Sequence, residues 1–261
     1  LGPLVAVAMV GWVGLERSWV VMLPGVAVAV ALIAVLARWG TRAEGVAGPE
    51  GPEAAGAPPT SGTPSLRELR PVLRPLALLY VAVVARSAVS YGFMTFLPMH
   101  LHQLGYSVAF GGSALTAYLA LGALGGFAGG WLAERVGGRT VVVQSFVGAI
   151  PLFLAFLALP TLPGLVCLAV GSFVVQGSLP VNVVLGQELA PRHSSTISSL
   201  LMGAAWGVGA LVVAPIGVLA DAFGLHVALA ALTAALVPGL LCALALPVPG
   251  EPAPPVEPMH A

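Results

Sequence analysis

The sequence predicts an all-α integral membrane protein with about eight transmembrane helices. Hydrophobic residues make up 58% of the 261 residues and charged residues only 8%, and the mean hydropathy is +1.00. A soluble domain would carry about 25% charged residues. The apolar residues fall in blocks that are long enough to cross the roughly 30 Å hydrocarbon core of a bilayer. The arginines lie between alternate blocks, which is typical of loops on the cytoplasmic side of a membrane.

Eight apolar blocks can be delimited along the chain. The first, Leu1–Leu15, would reach only about 22 Å as a helix, which is too short to cross. Because the chain also begins without a methionine, we expect that it starts inside a helix and is truncated at its N-terminus. The other seven have the length of a spanning helix; they are Trp19–Ala37, Leu76–Met99, Val108–Ala133, Thr140–Leu159, Gly164–Gly186, Ser195–Ala220 and His226–Val248.

The orientation in the membrane follows from the arginines between the blocks. Alternate loops and their flanks hold Arg38, Arg42, Arg67, Arg70, Arg74, Arg135, Arg139 and Arg192, whereas the remaining loops hold only Arg17. This bias predicts that the first group of loops, and with them the C-terminus, is cytoplasmic. Arginine is used without lysine, alongside abundant Ala, Gly, Val and Pro, which indicates a GC-rich bacterial gene. We therefore expect a multi-pass protein of the bacterial inner (plasma) membrane.

Composition divides the chain into four segments. Residues 1–39 hold two helices, 40–74 a flexible cytoplasmic linker, 75–248 six helices, and 249–261 a disordered cytoplasmic tail. The linker and the tail are rich in Gly, Pro, Ala and Glu and have few large apolar residues, so they cannot form a core. A weak repetition of Gly and Pro positions between the first and last helix pairs indicates two parallel repeats. The six helices after the linker would then form one half, and residues 1–39 the last two helices of the half before it.

Arg86 is the most informative residue within a predicted span. A charge near the middle of a membrane helix costs about 2.5–3.5 kcal/mol on insertion scales, so its side chain should face a polar cavity or a partner. The same helix carries further polar side chains along one side, and other helices offer more. The candidate substrate-binding residues are Arg86, Ser90, Tyr91, Thr95, Tyr118, Gln176 and Asn182.

Two roles for Arg86 remain open from the sequence. A guanidinium presents several N–H donors in a planar fork, which suits binding of an anionic group of a small-molecule substrate. Alternatively, Arg86 is the counter-charge of a carboxylate in helices that precede the chain. A midplane site of the first kind is where secondary transporters with this architecture bind their substrates.

A short turn between two spans carries a second pattern. It reads Gly129-Gly130-Trp131-Leu132-Ala133-Glu134-Arg135-Val136-Gly137-Gly138-Arg139. An acid at the end of one helix and arginines after it can form a charge clasp across a tight glycine turn, holding two helices in one gating state. The candidate gating residues are Gly130, Leu132, Glu134, Arg135, Gly137 and Arg139. The alternative is a positively flanked turn that determines topology alone. Closely spaced glycines in the preceding span predict close helix packing.

Other chemistry is not indicated. No Asp or Glu lies within a predicted span, since Glu134, Glu188 and Asp221 fall at helix ends. A proton-coupled transporter would therefore carry its titratable residue in the helices before this chain. His100 and His102 are interpreted as interfacial residues and not as a metal site. We predict no catalytic residues, no metal, no cofactor and no enzymatic activity. The zero net charge does not favour a nucleic-acid partner.

The glycine turn resembles the loop signature of the major facilitator superfamily, with Glu134 in place of the usual aspartate and Gly138 at a usually basic position. Three further segments resemble the C-terminal half of the fosmidomycin resistance family of drug exporters; they are Arg86–Gly92 with Thr95–Pro98, Gly186–Pro191, and Trp206–Gly209 with Gly217–Leu225. The resemblance implies a major facilitator fold, with this chain equivalent to helices 5–12 of twelve.

The same resemblance implies a secondary active transporter that exports a drug or another small molecule by alternating access. It also implies a proton gradient as the driving force and a phosphonate-like, anionic substrate. Two alternatives remain. One is an uptake carrier of the same superfamily for an organic anion or metabolite. The other is a membrane scaffold that transports nothing.

Overall fold

A computed structural model of the chain describes residues 28, 30, 31, 72–159 and 161–247. The chain divides into two units, Leu1–Pro64 and Ser65–Ala261, and the fold described below is that of the second. The predicted helices of 1–39 fall almost wholly outside the described residues, as do the tail at 249–261 and all but the end of the predicted linker. The predictions for these segments stay predictions.

The second unit is all-helical in its described part and confirms the predicted fold class. Six of its helices are long and apolar enough to cross a bilayer, and each matches one of the six blocks predicted after the linker. They are α1 (Leu73–Gln103), α2 (Val108–Val136), α3 (Gly138–Ala158), α4 (Thr161–Leu189), α5 (Pro191–Phe223) and α6 (Leu225–Leu244). The first begins at Leu73 and so includes the last two residues of the predicted linker range.

Short polar and glycine segments determine where these helices begin and end. The hydroxyl of Ser107 accepts a hydrogen bond from the Phe110 amide at 3.2 Å, which caps the start of α2. Gly137 separates α2 from α3 with φ +88° and ψ 142°, a conformation that only glycine adopts without strain. The α2–α3 turn can therefore be as tight as the sequence predicted.

Prolines explain the interruptions within three of the helices. A proline has no N–H to donate to the carbonyl four residues earlier, and its ring clashes with that carbonyl. In the described part of the chain the regular hydrogen bonding of α4, α5 and α6 is interrupted three residues before such a proline each time. The interruptions lie at Gly177, Val212 and Ala235, and the prolines are Pro180, Pro215 and Pro238.

Helix α5 has two further irregular turns. It begins with a 3₁₀ turn at Pro191–His193 and contains a π-helical turn at Leu200–Ala204. A π-helical turn accommodates one extra residue per turn and so shifts the direction in which the following side chains point. Trp206, two residues after the end of this turn, is the residue of α5 that matters most for the site described below.

The core lies around α1, which contacts all five other described helices of the unit, α3 through the rings of Phe93 and Phe153. Fully buried aromatic residues from α1 and α3 pack at its centre, with the rings of Phe93 and Phe153 4.8 Å apart. Buried leucines of α6, among them Leu229 and Leu232, complete this cluster. Between Ala82 and Val89 all α1 residues except Val84 are buried, so a polar residue in this stretch faces neighbouring helices.

Glycines allow α2 and α4 to approach each other at backbone distance, as the sequence predicted. A Cβ atom on Gly125 would overlap the carbonyl oxygen of Phe173, and one on Gly129 would overlap that of Gly177. These two glycines are four residues apart and face the same side of α2. The contact holds α2 against the interruption in α4, and therefore fixes the position of Gln176 immediately before it.

Candidate substrate site

Arg86 lies near the middle of α1 and is 2% exposed. Its Nη1 donates a hydrogen bond to Oε1 of Gln176 on α4 at 2.8 Å, and its Nη2 donates to the hydroxyl of Ser87 at 3.3 Å. The hydroxyl of Ser90, one turn along α1, donates to the same Gln176 oxygen at 3.3 Å. Both acceptors of Arg86, the Gln176 amide oxygen and the Ser87 hydroxyl, are neutral, so these contacts leave the positive charge of Arg86 without a counter-ion.

A cavity of about 110 Å³ borders this group. Five of the seven predicted site residues line it, namely Arg86, Ser90 and Tyr91 of α1, Tyr118 of α2 and Gln176 of α4. Among the described residues, Arg86 is the sole charged side chain that lines it. The phenol oxygen of Tyr118 is buried close to the hydroxyls of Ser90 and Ser172 without forming a well-aligned hydrogen bond. The cavity thus combines one cation with several neutral hydrogen-bonding groups.

Trp206 of α5 also lines this cavity, although the sequence analysis did not select it as a site residue. The guanidinium carbon of Arg86 is 5.7 Å from the centre of the indole ring, within the range of a cation–π contact. The ring of Tyr91 meets the indole edge-on, with 6.3 Å between centroids and 79° between planes. One signal was present, because membrane tryptophans are concentrated at the interfaces and Trp206 lies inside a span.

Asn182 and Thr95 are placed differently. Asn182 is 2% exposed and does not line the 110 Å³ cavity. It lines a much smaller cavity of about 10 Å³, which shares Arg86, Leu179 and Trp206 with the larger one. Thr95 is exposed and lines neither of these cavities. The structure therefore groups Asn182 with Arg86 and leaves Thr95 outside the group.

The turn between α2 and α3 holds its arginines in contacts that the sequence did not predict. The guanidinium of Arg135 lies 3.9 Å from the ring centre of Trp131. Nη2 of Arg139 donates a 2.6 Å hydrogen bond to the carbonyl of Leu244, the last residue of α6. Within the described part of the chain, Glu134 makes no ion pair with either arginine. In this conformation the turn is joined to α6 by Arg139.

Glu134 instead lines a separate cavity of about 440 Å³ at the end of α2. Gly130 and Gly137 of the same turn, and Glu188 near the end of α4, also line it. The remaining predicted residue, Leu132, is partly buried and packs against the core. Both acids are exposed, and within 72–159 and 161–247 the third acid, Asp221, likewise lies close to a helix end.

Comparison with known proteins identifies the family. The model of the Major Facilitator Superfamily matches residues 1–214. An uncharacterized MFS-type transporter, YfnC of Bacillus subtilis (strain 168), is 36% identical over 153 residues, covering 58% of this chain and 37% of the relative. The fosmidomycin resistance protein of Escherichia coli (strain K12) is 25% identical over 230 residues, covering 85% of this chain and 52% of the relative.

The chain thus spans about half the length or less of these curated relatives. Both relatives carry the name of a transporter or of a resistance protein, and the six apolar helices described above agree with a part of such a fold. The match to the family model extends over most of the chain, from the first residue to the last third of α5. The chain is a multi-pass membrane protein that belongs to the major facilitator superfamily.

Proposed function

We propose that this chain is part of a secondary active transporter that exports a small anionic molecule by alternating access. The observation that carries the proposal is Arg86, a buried cation at the middle of α1 that lines a cavity and has neutral hydrogen-bond partners. Placing a charge there is costly unless an anion compensates it. An anionic group of a substrate supplies that compensation, and the guanidinium fork gives it directional hydrogen bonds.

The relation to the fosmidomycin resistance protein supports a substrate with a phosphonate group, and it supports export over import. A phosphonate carries its charge on several oxygens, which matches the several N–H donors of one arginine. We propose a proton gradient as the driving force. Because the acids of residues 72–247 lie at helix ends, we place the carboxylate that would couple to protons in another part of the protein.

The proposal is tested in inside-out membrane vesicles. They contain the protein expressed from a gene that encodes this chain and any sequence upstream of it. Radiolabelled fosmidomycin is the phosphonate probe. Accumulation that requires a proton gradient and stops on adding a protonophore is the expected result. No accumulation above a control without a gradient would contradict export. Accumulation by right-side-out vesicles alone would favour an uptake carrier, and none in either orientation would favour a scaffold.

The role of Arg86 is tested separately with two matched variants. Arg86→Gln keeps a polar but shorter side chain and removes the charge, so transport of the phosphonate should fall by at least tenfold. Arg74→Gln removes an exposed charge from the first turn of the same helix and should leave transport close to wild type. If Arg86→Gln exports the phosphonate normally, Arg86 is not the substrate anchor.

A further inference from the structure

Arg86 borders a second, much smaller cavity that the proposed substrate site does not use. Its volume is about 10 Å³, which is close to the minimum that holds one water molecule. Its walls include Val83 and Arg86 of α1, Leu179 and Asn182 of α4, and Met202 and Trp206 of α5. Apart from Arg86, Asn182 and the indole, these side chains are apolar, so a ligand of the cavity would bond to a small set of polar atoms.

Two of the three residues that bring polar groups to this cavity, Arg86 and Asn182, have buried unpaired polar atoms. Nε of Arg86 is buried and makes no hydrogen bond to any residue that the structure describes, and the same holds for Nδ2 and Oδ1 of Asn182. Both residues are 2% exposed. Buried groups of this kind are nearly always bonded to protein or to ordered water, because leaving them unpaired is destabilising. Atoms from two helices, Nε of Arg86 and the side-chain amide of Asn182, therefore lack partners among the described residues around one small cavity.

We propose that one buried water molecule occupies this cavity and joins Arg86 to Asn182. The water accepts a hydrogen bond from Nε–H of Arg86 and donates one to Oδ1 of Asn182. It has the two polar partners that a buried water needs, in a space that fits no larger molecule. The cavity is thus a structural solvent site between α1 and the second part of α4.

The water gives Asn182 a role different from the one the sequence suggested. Nη1 of Arg86 is bonded to Gln176, which lines the larger cavity, while Asn182 lines only the smaller one of the two. A bridge from Nε to Asn182 therefore restrains the guanidinium plane from its other edge. Asn182 is a positioning residue for Arg86 and not a substrate contact. The effect on substrate binding rests on the function proposed above, whereas the water site itself does not.

The solvent site is tested by a structure of the complete protein at a resolution that resolves ordered water. The expected result is one density peak within hydrogen-bonding distance of both Nε of Arg86 and the Asn182 amide. The peak should vanish in Asn182→Leu, which has nearly the same volume and no polar atom. A map without this peak, or one in which Nε bonds directly to Asn182, would overturn the proposal.

The positioning role is tested by transport kinetics with the phosphonate probe. Asn182→Leu should raise KM about tenfold, as expected for the loss of a hydrogen bond to a charged group, and should change kcat much less. Asn182→Ser keeps a hydroxyl and leaves room for a second water, so it should restore most of the affinity. Ser145→Ala removes another buried hydrogen bond, from Ser145 to the Val141 carbonyl, and is the control for general destabilisation.

The outcomes separate this inference from the proposed function. If Arg86→Gln abolishes transport while Asn182→Leu has the KM of wild type, the positioning role is wrong and the substrate anchor stands. If Arg86→Gln transports normally, the anchor fails, and the density map alone decides on the water. If Asn182→Leu and Ser145→Ala raise KM by the same factor, Asn182 contributes only to packing, and the positioning role is contradicted.

Discussion

Nη1 of Arg86 and Oε1 of Gln176 are 2.8 Å apart, and this hydrogen bond to a neutral acceptor joins α1 to the last residue of the first part of α4. A glutamine satisfies one donor of the guanidinium without cancelling its charge. The pair therefore keeps Arg86 in place and leaves it able to attract an anion.

Gln176→Glu should block the site from within. The new carboxylate would lie at hydrogen-bonding distance from Arg86 and would form a charge-assisted pair that competes with an anionic substrate. We expect KM for the phosphonate probe to rise by at least tenfold. Gln187→Glu adds the same charge to α4, at a side chain bonded to Ser198, and should have a much smaller effect. Equal KM values for the two variants would argue against a substrate anion at Arg86.

Trp206 should contribute to affinity through its contact with Arg86. Trp206→Leu removes the aromatic face, and we expect KM to rise between about twofold and thirtyfold, the range of a partly desolvated cation–π contact. Trp206→Phe keeps a weaker aromatic face and should fall between wild type and the leucine variant. The order of the three KM values is the measurement. A phenylalanine variant that is as impaired as the leucine variant would exclude the cation–π contribution.

The contact between α2 and α4 should tolerate no side chain at two glycines. Gly125→Ala and Gly129→Ala each place a methyl group against a backbone carbonyl of α4, and overpacking of this kind typically costs about 1–3 kcal/mol. Both variants should lower the melting temperature of the purified protein. Gly126→Ala is the matched control, because the nearest atom to its methyl group is 3.8 Å away. A melting temperature unchanged in Gly129→Ala would refute the close contact.

Arg139 should stabilise the end of α6. Arg139→Gln shortens the side chain and removes the hydrogen bond to the Leu244 carbonyl, so the amides near residue 244 should exchange hydrogen for deuterium faster. The control is Arg135→Gln, whose guanidinium contacts Trp131 and not α6. Mass spectrometry of peptides from 236–247 measures both variants. Equal exchange in wild type and Arg139→Gln would exclude this role.

The arginine bias predicts that the turn between α2 and α3 faces the cytoplasm. A single cysteine at Thr140, an exposed residue at the start of α3, should react with a membrane-impermeant maleimide in inside-out vesicles and stay unlabelled in intact cells. A cysteine at Ser107, between α1 and α2, should show the opposite pattern. Both native cysteines, Cys167 and Cys242, are first replaced by alanine. Reversed labelling would overturn the orientation.

Hydropathy predicted the six helices after the linker because burial in a bilayer requires long apolar segments whatever the tertiary contacts are. It placed the first at Leu76–Met99, whereas α1 runs from Leu73 to Gln103, since helices continue past the hydrocarbon core into the interface. The cost of burying a charge was enough to select Arg86. Contacts between helices could not be predicted from hydropathy. Arg139 and Leu244 are 105 residues apart in the sequence, and no periodicity relates them.

The sequence predicted which types of residue form the site, but it did not predict how they are arranged in space. Polar residues within apolar spans identified Gln176 and Tyr118, which line the cavity, and also Thr95, which does not. Spacing along one helix cannot show which part of its surface meets a neighbour. For the same reason the sequence could not predict that Asn182 lies outside the larger cavity or that Trp206 lines it.

The interruption of α4 before Pro180 has a consequence for how this protein can evolve. In an unbroken helix, side chains six residues apart would differ by about 600° in direction, or about 120° from alignment. Gln176 and Asn182 lie on either side of the break and both adjoin Arg86 or its cavities. Pro180 is thus expected to be as invariant among orthologues as Arg86, although it lines neither cavity at Arg86. Selection that maintains Arg86 is therefore expected to maintain Pro180 as well, because the proline ring interrupts α4 between Gln176 and Asn182.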